Sequence, residues 1–215
     1  MAISDALDEA EHRSPATVVV LDAGCGRKSP LVRFRGRIDR LVGVDLHEPD
    51  PPLAYLDEFV VVDLCGPGGN IPDDAFDLIL SHFTLEHLAD PSKALKNMHR
   101  WLRPGGTLVL TTVNRRNPFV AAYLGLPRGL QRRIQPLVKA RLADAHPLVG
   151  ACNDPDAIRS GLSAAGFGSP DLEMVPNLAR AWSRRLWTFA IGAVGDVVTM
   201  ASASRRSTIL AVARK

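Results

Sequence analysis

Thr17-Val-Val-Val-Leu21, stopped by Asp22-Ala-Gly-Cys-Gly26, is the stretch that decides the fold. A run of β-branched residues closed by an acid and two glycines reads as a buried strand entering a tight turn. Glycine lets the backbone turn sharply and approach a ligand without a Cβ in the way. One such turn is a weak signal, so its neighbours must carry the argument.

Working outward, Ser29-Pro30 reads as an N-cap with proline at the first helical position, opening a short helix through about Arg37. Leu41-Val-Gly-Val-Asp45 supplies a second strand, Phe59–Val62 a third and Phe76–Leu80 a fourth, with the loop Gly66–Asn70 between the last two. Asp90-Pro91 starts a helix whose Ala94, Leu95, Met98, Trp101 and Leu102 recur at helical spacing. Arg103-Pro-Gly-Gly106 ends that helix, and Thr107–Val113 makes a fifth strand. Alternating apolar strands and helices predict an α/β, Rossmann-like, doubly wound sheet. It is mostly parallel, with helices on both faces, because right-handed crossovers place them there.

Beyond Asn114 the rhythm changes. Pro118, Pro127, Pro136 and Pro147 punctuate helical pieces, and arginines gather at Arg128, Arg132, Arg133 and Arg141. Asp154-Pro155 opens a helix ending at Ala164-Ala-Gly166, and Ala181–Met200 reads as one apolar helix. Asp171–Val175 and Thr208–Ala213 bring the strand count to seven.

Composition bounds the function. With 215 residues, 46% hydrophobic and 23% charged, the chain has the makings of one globular domain. Cys25, Cys65 and Cys152 are widely spaced with no CxxC pair, which points to a reducing, cytoplasmic setting. The stretch before Ala16 is acidic where an export signal would be basic and apolar, so it reads as a lead-in. The apolar run Leu186–Met200 contains Asp196 and is shorter than the ~18 to 20 residues of a spanning helix. From Arg100 onward there are 17 Lys+Arg against 6 Asp+Glu, and before it 9 against 17, so the front is acidic and the back basic. Solvated helix faces account for such a balance; charge alone chooses no partner.

Ligands of open α/β sheets bind outside the carboxyl ends of the strands. Asp22, Asp45, Asp63 and Ser81 each stand at or just past such an end and should converge there. Asp45 follows the first glycine by about 20 residues, the spacing at which a carboxylate accepts ribose hydroxyls.

LDAGCG, VGVDL, VVDLCG, FDLILSHFTLEHLADP and LRPGGTLVLTT, in this order across Thr17 to Asn114, resemble the successive motifs of the class I S-adenosylmethionine-dependent methyltransferases. The resemblance implies that Asp22, Gly24, Cys25 and Gly26 meet the methionine part of the cofactor and that Asp45 and Leu46 meet its ribose side. It implies that Asp63, Leu64 and Cys65 meet the adenine, and that Ser81 and His82 meet the methionyl ammonium. The cofactor so implied is S-adenosylmethionine, leaving as S-adenosylhomocysteine. Residues 1–215 then form a single methyltransferase domain: a lead-in over 1–16, a cofactor-binding half over 17–114, and a substrate-side cap with the final strands over 115–215. The chain departs from the family where a third glycine is common, carrying Lys28 and Ser29.

Methyl transfer needs alignment above all, and a base only where the acceptor must lose a proton. His82 and His87, after the fourth strand, are the base candidates, with His146 behind them. Glu86-His87 resembles the end of an ExxEH metal motif, but the first glutamate falls at Phe83, so no metal is expected. The acceptor is expected to be a small molecule, methylated on oxygen or nitrogen. The Leu126–Leu130, Ala164–Phe167 and Trp182–Phe189 segments loosely resemble enzymes of bacterial secondary-metabolite and glycan biosynthesis.

Other readings make different demands. A nicotinamide-dependent oxidoreductase wants a third glycine and a YxxxK pair, and Tyr55 and Tyr123 show no such spacing. An RNA-modifying or nucleic-acid-binding protein wants aromatics among its basic residues, and Arg128 to Arg141 contains none, which argues against nucleic acid. A protein that holds the cofactor without transferring methyl stays open, as does a homodimer. Peripheral membrane contact through the Trp- and Arg-bearing helix is also open, although packing against the sheet or a partner is the simpler account.

Overall fold

A computed structural model describes residues 2–14, 17–138 and 152–215. Arg141, His146 and Pro147 lie outside the described residues.

Seven strands form one sheet: β1 (Val19–Ala23), β2 (Arg40–Asp45), β3 (Glu58–Val61), β4 (Phe76–His82), β5 (Leu102–Val113), β6 (Asp171–Val175) and β7 (Thr208–Arg214), in the order β3-β2-β1-β4-β5-β7-β6. The first five strands pair in parallel, and β7 runs antiparallel to both β5 and β6. The doubly wound, mostly parallel sheet read from the sequence is therefore present, with its final strand inserted against the others.

The valine run shows how the sheet is held. Successive side chains of a strand point to opposite faces. Val18 and Val20 accordingly join Leu78, Leu80 and Val109 on one face, while Val19 and Leu21 join Ile79, Leu108 and Leu110 on the other. The first face is covered by α1 (Ala2–Arg13) and by Leu31 of the 3-10 segment Pro30–Arg37. The second is covered by α2 (Pro91–Trp101), through Leu95, Met98 and Trp101, and by Ile158 and Leu162 of an α-helix at Pro155–Ala164.

Three elements differ from the sequence reading. The stretch read as a lead-in forms α1, which buries Ala6, Leu7 and Ala10 and ties to the body through Arg37, which pairs with both Asp8 and Glu11. Arg103-Pro-Gly-Gly106 does not precede the fifth strand but lies within β5 as an irregularity: Leu102 pairs with Phe76, and Thr107 with Leu78. The helix read over 181–200 begins only at Leu186; Ala181 instead ends a separate short helix, Leu178–Ala181, and residues 182–185 lie between the two. Among the described residues the remaining α-helices, in chain order, are α3 (Pro118–Leu124), α4 (Arg128–Val138), α5 (Pro155–Ala164), α6 (Leu178–Ala181) and α7 (Leu186–Met200).

At the amino ends of the strands, the buried carboxylate of Asp77 accepts from Val19 N at 2.9 Å, from the Ser14 hydroxyl at 3.0 Å and from Arg103 at 2.6 Å. Both oxygens of Asp77 are thus paired, whereas at the carboxyl ends Asp22 Oδ2 and the Ser81 hydroxyl find no partner among the described residues.

Candidate functional site

The turn after β1 builds the floor of the crevice. Gly24 has φ +77° and Gly26 φ +52°, conformations that L side chains rarely adopt. Sterics reinforce the first: a Cβ on Gly24 would lie 2.3 Å from Thr84 Cγ2. The Thr84 hydroxyl in turn meets the carbonyls of Ala23 and Gly24, each at 3.3 Å, so the loop after β4 rests directly on the β1 turn.

Asp45 closes β2 and locks this turn from the other side. Its Oδ2 accepts from Gly26 N at 2.9 Å and its Oδ1 from Leu46 N at 2.7 Å. Each oxygen keeps a lone pair, so the carboxylate can still accept from a ligand's hydroxyls. Leu46 stands exposed beside it.

Asp22 is buried, and its Oδ2 has no hydrogen-bond partner among the described residues. Burial raises its pKa to about 7; the nearby Ser29 hydroxyl opposes that rise and Asp45 adds to it. Near it, two more buried oxygens find no partner among the described residues, the Ser81 hydroxyl on β4 and the Tyr55 phenol. Burial, with Asp22 and Cys25 nearby, pushes the Tyr55 phenol up. A buried polar atom without a partner is costly. A ligand bringing an ammonium group and hydroxyls to this crevice would relieve that cost, so the residues fit S-adenosylmethionine.

Two expected contacts change character. The Leu64 side chain is buried in the core beneath α2, and only the backbone of its loop faces outward, held where Asn97 Nδ2 donates to the carbonyls of Leu64 and Gly66 at 2.9 Å each. Cys25 is likewise buried, with Sγ beside Gly43 and its thiol pushed up by burial, so its side chain packs and only its backbone lines the turn. Cys65 is half-buried, its thiol donating to Asp90 O at 3.3 Å. Exposed Asp63 accepts from Cys65 N at 2.8 Å, which shapes the loop where adenine is expected.

His82 lies at the end of β4, hydrogen-bonded through Nδ1 to the Thr111 hydroxyl at 2.7 Å. Burial, helped by the positive charge of Arg180, lowers its pKa to about 4. The imidazole is thus held neutral near pH 7, as a weak base. Phe83 follows with φ +55°, an unusual conformation for a bulky residue and a mark of backbone strain beside the site. His87 ends the 3-10 turn Leu85–His87, and the buried carboxylate of Glu86 accepts from Thr112 at 3.0 Å. Sequence reasoning gave no role to Tyr55, Thr84, Thr111 and Arg180: Thr84 and Thr111 stand inside the quoted motifs but meet Gly24 and His82 only in the folded chain, while Tyr55 and Arg180 come from a loop and from α6.

Residues 21–110 match the family model described as a methyltransferase domain. The ubiquinone biosynthesis O-methyltransferase of Ruegeria pomeroyi is 31% identical over 140 residues, 57% of this chain and 55% of that protein, so the chain spans about half the length of the curated relatives it matches. Among solved structures, an S-adenosylmethionine dependent methyltransferase from Mesorhizobium loti superposes over 100% of this chain and 96% of its own, with TM-score 0.59 and 19% identity. The [4+2]-cyclase SpnF superposes over 100% of this chain and 82% of its own, with TM-score 0.56 and 21% identity. Residues 21–110 thus resemble a methyltransferase domain, and the sheet that holds them has the fold of the solved methyltransferases.

Proposed function

We propose that the protein transfers a methyl group from S-adenosylmethionine to a small-molecule acceptor, through oxygen or nitrogen. The observation that carries this is Asp22, a buried carboxyl with a free oxygen directly before the Gly24–Gly26 turn. Asp22 and the Ser81 hydroxyl would hold the methionyl ammonium, Asp45 the ribose hydroxyls, and Asp63 with the Cys65 backbone the adenine. When bound, the cofactor supplies a methyl carbon activated by its sulfonium. The chain's own part is to orient the reactants and exclude water. Neutral His82 is suited to hydrogen-bond an acceptor rather than to take its proton.

The name of the Ruegeria relative supports oxygen as the methylated atom; a place in secondary-metabolite or glycan biosynthesis rests on the loose resemblance of residues beyond Asn114. Residues 17–114 are assigned to the cofactor and the cap after them to the acceptor. The three free cysteines support a cytoplasmic setting. Among the described residues no helix is long and apolar enough to cross a membrane.

The likeness to a [4+2]-cyclase keeps one second reading, a protein of this fold whose chemistry is not methyl transfer. Calorimetry with S-adenosylmethionine, S-adenosylhomocysteine and NAD, followed by an acceptor screen for S-adenosylhomocysteine release, separates the readings. Micromolar binding of the first two alone and turnover with an acceptor support methylation. Binding without release under any acceptor supports the second reading, and binding of NAD alone overturns both.

A further inference from the structure

Helix α7 is inside out for a helix on a globular body. Its buried residues are Thr188, Gly192, Gly195 and Thr199, while Leu186, Trp187, Ile191, Val194, Val197 and Val198 are exposed, Leu186 by 85% and Val197 by 67%. At about 100° per residue these six positions cover an arc of roughly 140°, which exposed Phe189 and Met200 widen to roughly 200°. Helices that bury one stripe against a core normally show the reverse pattern, and soluble monomers seldom expose a continuous apolar surface of this breadth.

The orientation is built in. A Cβ on Gly192 would lie 2.7 Å from the Leu178 carbonyl, so α7 presses against the backbone of α6. Asp196, the only acid in residues 176–215, turns inward and accepts from Leu178 N at 3.0 Å and Ala179 N at 2.9 Å. The outward face therefore carries no negative charge. Around it stand exposed Arg180, Arg184 and Arg185 at one end and Arg205 at the other, with Trp182 and Trp187 near the first.

A second copy fits this face poorly. In a two-fold contact, helices laid parallel or antiparallel would bring arginine-bearing ends together, with no acid on the outward face to pair them. One flat partner would also leave part of so wide an arc in water. An apolar helix with a cationic rim matches a bilayer whose surface is anionic, and at 15 residues it is too short to cross one.

We propose that α7 is a monotopic membrane-docking helix that seats its outer face in an anionic lipid bilayer. Arg180, at the base of the α6–α7 pair, also lies near His82, so docking sets the acceptor side of the crevice against lipid; this last step rests on the methyl-transfer reading.

Co-sedimentation of the cofactor-free protein with phosphatidylcholine vesicles, with and without phosphatidylglycerol, tests the docking apart from that reading. The protein should pellet with the anionic vesicles alone, be released by salt, and show a blue shift of tryptophan emission on binding. Val194→Asp with Val198→Asp should weaken vesicle binding about tenfold or more, while calorimetric affinity for S-adenosylmethionine is unchanged. Arg184→Gln with Arg185→Gln, which leaves the apolar face intact, should remove the preference for anionic lipid. Failure to pellet with either vesicle overturns the proposal, as does equal binding to both. So does a dimer that Val194→Asp with Val198→Asp dissolves while vesicles leave the native protein in solution.

Discussion

Gly26 donates its amide hydrogen to Asp45 Oδ2 across 2.9 Å, tying the turn after β1 to the end of β2 before any ligand arrives. The carboxylate expected to meet the ribose thus also holds the glycine turn that passes beneath the cofactor. Preorganisation of this kind lowers the ordering cost of binding.

Asp45→Ala should therefore weaken S-adenosylmethionine binding by about 1.5 to 3 kcal/mol, from lost charge-assisted hydrogen bonds and a loosened turn together. Calorimetry on the folded variant measures this, and unchanged affinity would remove Asp45 from the site.

Gly24→Ala meets two obstacles, a φ of +77° and the Thr84 side chain at 2.3 Å. A loss of about 1 to 3 kcal/mol in urea unfolding is expected, since a left-handed non-glycine residue and a clash add. Thr84→Ala in the same chain should recover part of that loss by removing the clashing atoms, leaving the backbone strain. Strictly additive effects would mean that the loop after β4 does not rest on Gly24.

These two positions also show what could be read in advance. Strands β1, β2, β4 and β5 announce themselves because a parallel sheet buried on both faces needs runs such as Val18–Leu21, and Asp22 and Asp45 fall where the first two runs stop. Helix α1 was hidden because its buried residues are few and small, Ala6, Leu7 and Ala10, among acids that read as solvated. The break at Trp182–Arg185 was hidden because the segment is apolar on either side. Tyr55 and Thr84 reach Asp22 and Gly24 from distant loops, a relationship that only the folded chain creates.

Asp22 makes stability depend on pH in a defined direction. Its pKa rises from an ordinary 3.8 to about 7 on folding, so between those values the native state binds more protons than the unfolded one. Stability then falls as pH rises through that window and levels off above it. Asp22→Asn should flatten this slope in the cofactor-free protein and leave it more stable at pH 8 by a few kcal/mol at most. Urea unfolding from pH 4 to 8 measures both chains, and parallel curves would remove Asp22 as the source.

His82, with its pKa lowered to about 4, keeps one charge state across the neutral range. The pH profile of kcat should show no step from it between pH 5.5 and 7.5, and His82→Ala should cost less than the ~10²- to 10⁴-fold typical of a lost general base. A step near pH 6.5 that vanishes in the variant would restore His82 as the base.

Asp196 offers a separate test of how α7 is seated. Its two carboxylate oxygens accept from the first amides of α6, which makes it a cap supplied by one helix to the next. Asp196→Ala would leave those amides without their acceptor and should destabilise the fold by about 1 kcal/mol, the usual worth of an N-cap. Asp196→Asn keeps an acceptor oxygen but loses the charge, so it should lose less. Gly192→Ala attacks the same seat by sterics, since its Cβ would meet Leu178 backbone that cannot rotate away. If α7 is held as described, all three variants should loosen it before the sheet unfolds, and hydrogen exchange should quicken in residues 178–200 while β1 and β4 stay protected. Uniform acceleration across the chain would mean instead that α6 and α7 unfold only together with the sheet.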